Sequence, residues 1–385
     1  MRRQTLRSPL LPEGTEIISQ PIPFEACSAF DKFLVYASSL VVVGSPVWFY
    51  GSLVWLFRKW RHYRLLLATS RKDQSICSED VLRYQKLARR YGVALCSVVL
   101  VSLWGPHRSP RVGEWLGVRK WRLWRAWMNY IGFAVIQDRG NCHHDSSSRT
   151  HEEFDPLTSP AILAFVPHGI FPFGLAFSCL PEEGYESTWG LFRPVVATAT
   201  KLFPLVRTFI AWMGGVDASR NAVSRSISTG KRRIGLSPGG IAEMFETYPK
   251  PGFHQNDEAA ILKTRNGIFK LACKHNVPVV PVYCFGATKM LRRVQLPRFI
   301  ETLSRALKIS IVLFFGKWGL PIPFRQRMMY VIGNTIWPRE GGHNSSLDFE
   351  EQVGIMHSQF TDEVLRIFDR NKEYYGWVNK SLKLV

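Results

Sequence analysis

Hydrophobic and polar positions divide the chain into two unlike halves. Residues 33–57 form an uncharged apolar run, and Tyr91 to Gly105 form a second, shorter one. As a straight helix the first would extend ~37 Å and the second ~22 Å, so the first has bilayer-spanning length and the second is short for a span. From about residue 160 the pattern changes to short apolar runs alternating with amphipathic segments. AILAFV at 161–166, RPVVATAT at 193–200, RRIGLS at 232–237, VPVVPVYCF at 277–285 and MMYVIG at 328–333 read as strands. LFPLVRTFIAWMGG, IAEMFE and RNGIFKLACKHN read as helices between them, and 347–375 as a long terminal helix. That alternation predicts an α/β fold with a largely parallel sheet flanked by helices.

The N-terminal half predicts a membrane-embedded hairpin. Gly44-Ser45-Pro46 breaks the first run near its middle, which allows a re-entrant hairpin dipping in from the cytosolic face, with two full spans as the alternative. The intervening residues 58–90 carry ten Lys and Arg against three acids, a bias that places this loop and both termini on the cytosolic side. Residues 115–128, WLGVRKWRLWRAWM, interleave four tryptophans with Arg119, Lys120, Arg122 and Arg125. The pattern predicts an interfacial helix, with indoles at headgroup depth and cations on phosphates. The expected organisation is a polar segment at 1–32, a membrane-embedded region at 33–105, a Trp/Arg-rich segment and loop at 106–158, and an α/β domain at 159–385.

Charge adds a partner class. The chain has 50 Lys and Arg against 30 Asp and Glu in 385 residues, a formal +20. An anionic partner is implied, and with thirteen tryptophans a phospholipid surface suits better than nucleic acid, for which no motif is present. Seven scattered cysteines without a CxxC pair suit a reducing compartment. Cys142, His143, His144, Asp145 and His151 have metal-ligand chemistry but not the paired spacing of a zinc site, so no metal is expected.

Candidate chemistry centres on LAFVPHGIFPFG at 163–174, where an apolar strand breaks at Pro167 and presents His168 beside Gly169. An imidazole at the carboxyl end of a strand is well placed to take a proton near neutral pH. GLSPG at 235–239 has the G-x-S-x-G spacing of a nucleophile elbow, but Pro238 lacks the N–H that an elbow uses for its oxyanion hole. Gly239 and Gly240 are instead expected to turn the chain or admit a substrate. Glu243 is a candidate carboxylate for orienting the imidazole, and Arg265 and Lys270 are candidate phosphate contacts.

Five elements in register carry a resemblance. They are Pro167-His168-Gly169, Pro238-Gly239-Gly240 with Glu243, RNGIFKLA at 265–272, VPVVPVYCFG at 277–286, and PIPFRQ at 321–326 followed by MMYVIGNTI. Together they resemble the type-2 diacylglycerol acyltransferase family, of the lysophospholipid-acyltransferase-like superfamily, over roughly 160–375. The resemblance implies a membrane enzyme of the endoplasmic reticulum and lipid droplets that transfers an acyl group from acyl-CoA to diacylglycerol. It maps the family histidine onto His168 and the family glutamate onto Glu243. No cofactor is implied beyond acyl-CoA as co-substrate, and homo-oligomerisation stays open. Gly169, Gly239 and Gly240 become candidate oxyanion donors, and Lys201, Arg207, Arg220, Arg265 and Lys270 candidate CoA-phosphate contacts. Three positions depart from the pattern: Val166 stands where a first histidine is common, Phe173 where related enzymes carry an aspartate, and Ala287 where some members carry an acid. Monoacylglycerol, a long-chain alcohol or a sterol as acceptor, or a non-catalytic droplet protein, are the competing readings.

Overall fold

The computed structural model describes residues 11–70, 77–103, 114–140, 154–180, 188–202, 204–229, 233–245, 252–307, 312–338 and 348–385. Its centre is β3 (Ala161–Val166), buried at every position and paired in parallel with β6 (Arg233–Leu236) on one side and β8 (Val279–Phe285) on the other. A strand covered on both faces needs no polar alternation, which is why AILAFV and VVPVYCF read as continuous apolar runs. Beyond β6 the parallel block continues through β4 (Arg193–Val196) to β5 (Val216–Asp217). On the other side the direction reverses. β11 (Met329–Ile332) runs antiparallel to β8 and parallel to β2 (Ala134–Asp138), and β1 (Thr15–Ser19) closes the edge antiparallel to β2. The eight-stranded sheet is therefore mixed, with its largest block parallel. It draws strands from both sides of position 158, since β1 and β2 precede it.

Successive β3 residues feed two cores, as a period of two requires. Leu163 and Phe165 face α1 (Ala29–Ser38), α4 (Arg122–Ile131) and α5 (Phe173–Cys179), together with Val282 and Tyr330. Ile162, Ala164 and Val166 face α9 (Gly267–His275) and the long α11 (Phe349–Tyr375), together with Tyr283 and Phe285. The remaining helices of the α/β part are α6 (Pro204–Trp212), α7 (Arg220–Ser228), the one-turn α8 (Gly240–Glu243) and α10 (Arg298–Leu307). A separate two-stranded sheet pairs β7 (Asp257–Ala260) in parallel with β12 (Ser381–Leu384), and a second pairs β9 (Arg292–Arg293) with β10 (Phe314–Phe315).

Two expectations for the N-terminal half are corrected. The Trp/Arg-rich segment is not an interfacial helix: in α4, Trp124, Trp127 and Met128 are 4–5 % exposed. The helix is wedged between α1 and the sheet, where Trp127 Nε1 donates to Ser38 Oγ at 3.1 Å and its ring lies 4.9 Å from Phe177. Trp124 and Trp127 are committed to the core, while Trp115 and Trp121 stay exposed beside Trp212. The basic stretch 58–90 is not a loop either. Its described parts are the second half of α2 (Ser45–Ser70) and the first half of α3 (Ser78–Leu103), which pack side by side through Trp55, Tyr63 and Tyr91.

Among the described residues, no single helix is long and apolar enough to cross a membrane. Ala29–Val43 and Ser45–Ser70 meet that test as a pair, bent by 53°. The bend has a local cause: residues 39–43 form a π-turn closed by the Gly44 N–H on Ser39 O at 3.0 Å, and Pro46 follows in the first turn of α2.

Candidate active site

The carboxyl ends of β3, β6 and β8 lie side by side, and each leads into a glycine turn: Pro167-His168-Gly169, Pro238-Gly239-Gly240 and Gly286-Ala287. Gly169, Gly240 and Gly286 all have positive φ (69°, 57° and 89°), and the Val166–Pro167 bond is cis. These turns bring the chain from three strands together at one edge of the sheet.

His168 is half-buried at this edge. Its Nδ1 lies 2.8 Å from the Gly169 carbonyl oxygen. A carbonyl can only accept, so Nδ1 carries the proton and Nε2 keeps its lone pair. Burial pushes the imidazole pKa below its ordinary value, and the Gly169 bond opposes this only in part. The ring is thus held as a neutral base with Nε2 available.

Glu243 sits in α8 and is 2 % exposed. Its Oε2 accepts from the His168 backbone N–H, and its Oε1 accepts from the Ile261 N–H at 2.9 Å. The carboxylate was expected to orient the imidazole; the structure corrects this. The Gly169 carbonyl fixes the tautomer, and Glu243 pins the backbone of the histidine turn to the end of β7. Gly239 makes room for it: a Cβ there would lie 2.3 Å from Glu243 Cδ and 2.5 Å from both carboxylate oxygens. The role of Gly239 is the space over its Cα, not a special backbone angle, since its φ is −64°. The involvement of Ile261 had no signal in the sequence, because a backbone N–H has no residue type.

The other candidates separate. The Gly240 N–H donates to Ser237 O at 3.2 Å and so closes the turn rather than pointing at a substrate. The Gly169 N–H has no partner among the described residues and remains a donor at the histidine turn. Arg207 is buried and its Nη2 donates to Val101 O at 3.1 Å, so it satisfies a carbonyl in the last turn of α3 instead of meeting a phosphate. Lys270 is ion-paired with Glu350 at 2.6 Å, clamping α9 to α11. Arg220 is exposed at the start of α7, after β5, on the same edge of the sheet as the histidine turn. Arg265 is partly exposed between β7 and α9. The Lys201 side chain lies outside the described residues, as does the Cys142–His151 cluster. No group of three or more metal-ligating side chains is present among the described residues.

The family model described as "Diacylglycerol acyltransferase" matches residues 91–385, more than half of the chain. The chain belongs to the diacylglycerol acyltransferase family. This acyl-CoA acyltransferase is similar to several curated relatives at nearly equal distance. Acyl-CoA wax alcohol acyltransferase 2 of Homo sapiens is 26% identical over 277 residues, covering 67% of this chain and 75% of the relative. Diacylglycerol O-acyltransferase 2 of Homo sapiens is 24% identical over 297 residues, covering 72% and 69%. 2-Acylglycerol O-acyltransferase 1 of Bos taurus is 25% identical over 289 residues, covering 70% and 78%. The family rests on the match over residues 91–385, and relatives at these identities leave the acceptor open.

Proposed function

We propose that this acyltransferase esterifies the free hydroxyl of diacylglycerol with the acyl group of acyl-CoA, releasing triacylglycerol and CoA. The observation that carries the reading is the His168 tautomer: Nδ1–H is committed to the Gly169 carbonyl, so Nε2 is the base. In this reading the acceptor hydroxyl gives its proton to Nε2 as its oxygen attacks the thioester carbonyl. The tetrahedral oxyanion accepts a hydrogen bond from the Gly169 N–H. The C–S bond then breaks and the proton passes from Nε2 to the departing CoA sulfur. Glu243 supports this chemistry by holding the backbone that carries His168. Of the candidate cations whose side chains are described, Arg220 and Arg265 remain for the CoA phosphates. The enzyme would reside in the endoplasmic reticulum membrane and on lipid droplets, with its α/β part facing the cytosol.

A second reading, a long-chain alcohol as acceptor, is supported by the near-equal similarity to the wax alcohol acyltransferase. The test is a microsomal assay with labelled acyl-CoA against diacylglycerol, monoacylglycerol, a long-chain alcohol and a sterol, with wild type and His168→Ala. Triacylglycerol as main product, lost in the variant, supports the first reading. Wax ester as main product supports the second. Products that persist in His168→Ala would refute the base assignment under either.

A further inference from the structure

Between β8 and β11 the chain leaves the sheet, forming β9, α10 and β10 before it returns. The excursion begins at the histidine turn, for a Cβ on Gly169 would lie 3.2 Å from Ala287 O. Its helix carries apolar groups outward. In α10 the inward side mixes the half-buried Ile300 with polar groups: Ser304 is fully buried, and Glu301 is ion-paired at 2.8 Å with the buried Arg293 of β9. The opposite side presents Phe299 and Leu303, one turn apart, at 68% and 46% exposure. A water-facing helix normally has the reverse arrangement.

The same excursion exposes Val294, Leu313, Trp318 and Leu320. Trp318 is held out at φ +58°, a conformation uncommon for a residue with a side chain. Its ring meets Tyr36 of α1 edge-on at 5.4 Å, and Lys317 donates to the Tyr36 hydroxyl at 2.7 Å. Pro321 lies against Gly44 at the bend between α1 and α2. This surface therefore adjoins Phe33, Leu40 and Val41, exposed apolar residues of the bent pair that has the length and composition for a broken span. Cations fringe it: Lys317 lies 4.4 Å from the Trp318 ring centre and Arg292 lies 5.2 Å from that of Phe324.

We propose that the outward face of α10, with Trp318 and Leu320, docks on a phospholipid bilayer and seats the His168 edge of the sheet against the surface that supplies the acceptor. The proposal rests on the reading of a lipid hydroxyl as acceptor. Apolar side chains at acyl depth, an indole beneath a cation, and continuity with the bent helical pair suit a bilayer better than a second copy of the chain.

The test uses the full chain with p-benzoylphenylalanine at position 299 or 303, bound to phosphatidylcholine vesicles and irradiated. Position 47, on exposed α2, reports the bent pair, and position 351, on the polar outside of α11, serves as the aqueous reference. Phospholipid adducts at 299 and 303, with none at 351, are expected. Chain-to-chain adducts, or no lipid adduct at 299 and 303, would overturn the proposal whatever position 47 gives. The crosslink needs no turnover, so it stands or fails apart from the acyltransfer reading. In a second arm, Phe299→Asp with Leu303→Asp should lower transfer to acceptor in a bilayer by at least about tenfold while sparing a water-dispersed short-chain acceptor. Equal loss on both acceptors would also overturn it.

Discussion

Replacing Gly239 by alanine adds one methyl group and tests the whole site. At φ −64° and ψ −32° the residue has an ordinary helical backbone, so alanine brings no torsional strain. It brings a collision, because the new Cβ would stand 2.3 Å from Glu243 Cδ. The carboxylate must move and release the His168 and Ile261 N–H groups. Hydrogen bonds to a charged acceptor contribute about 1.5–3 kcal/mol each, so roughly 3–6 kcal/mol of stability is at stake. A displacement of the histidine turn by ~1 Å is enough for a ~10²-fold fall in kcat. Gly240→Ala is the contrasting variant. Its φ of +57° costs alanine about 1–2 kcal/mol, but nothing lies within 4 Å of the added Cβ. It should lose some thermal stability and keep most of its turnover. Both are read by thermal unfolding of the purified chain and by initial rates at saturating acyl-CoA. Gly239→Ala combined with Glu243→Ala should be no worse than Glu243→Ala alone, because the collision partner is gone. Additive losses in that double variant, or a Gly239→Ala enzyme as stable and fast as wild type, would refute the notch.

Further outcomes follow from the same contacts. His168→Ala should lower kcat by ~10²–10⁴ while leaving membrane association intact, measured on washed microsomes. Because burial lowers the His168 pKa, the neutral base should persist below its ordinary titration range, and the acid limb of kcat should have its midpoint below pH 6.5; a midpoint at or above 6.5 would contradict it. The same shift has a stability sign: between the folded and unfolded pKa values the unfolded chain binds more protons, so this group lowers stability as pH falls. Glu243→Gln should lower kcat with little change in acyl-CoA affinity, and combined with His168→Ala it should slow the residual rate further, because the Gly169 N–H sits on the same pinned turn and still serves the oxyanion without the imidazole. Asp138→Ala should destabilise the fold by about 3–5 kcal/mol, because this fully buried carboxylate receives Arg366, Arg370 and Asn371 and ties β2 to α11. The surviving folded fraction should keep its kcat. If the α/β part faces the cytosol, the exposed sequon at Asn379 should carry no sugar, as checked by endoglycosidase mobility.

Much of the α/β half was legible because its signals are local. Continuous apolar runs over 161–166 and 279–285 can be satisfied only by strands covered on both faces, and the proline after β3 puts a histidine at a strand end. The reversed pair β11 and β2 was not legible. Strand direction depends on which neighbour completes the hydrogen-bond ladder, and neither residue type nor period encodes that. The Trp/Arg segment shows the limit of pattern: the same indoles suit a bilayer interface or a packed core, and only the presence of α1 and the sheet beside α4 decided for the core. At the site, the sequence determined that a histidine, a carboxylate and two glycines would be available. What the carboxylate does was decided by tertiary structure, because its partners are backbone N–H groups 75 and 18 residues away in the chain. Side-chain chemistry can be read one residue at a time; which backbone groups converge on it depends on how the strands end side by side.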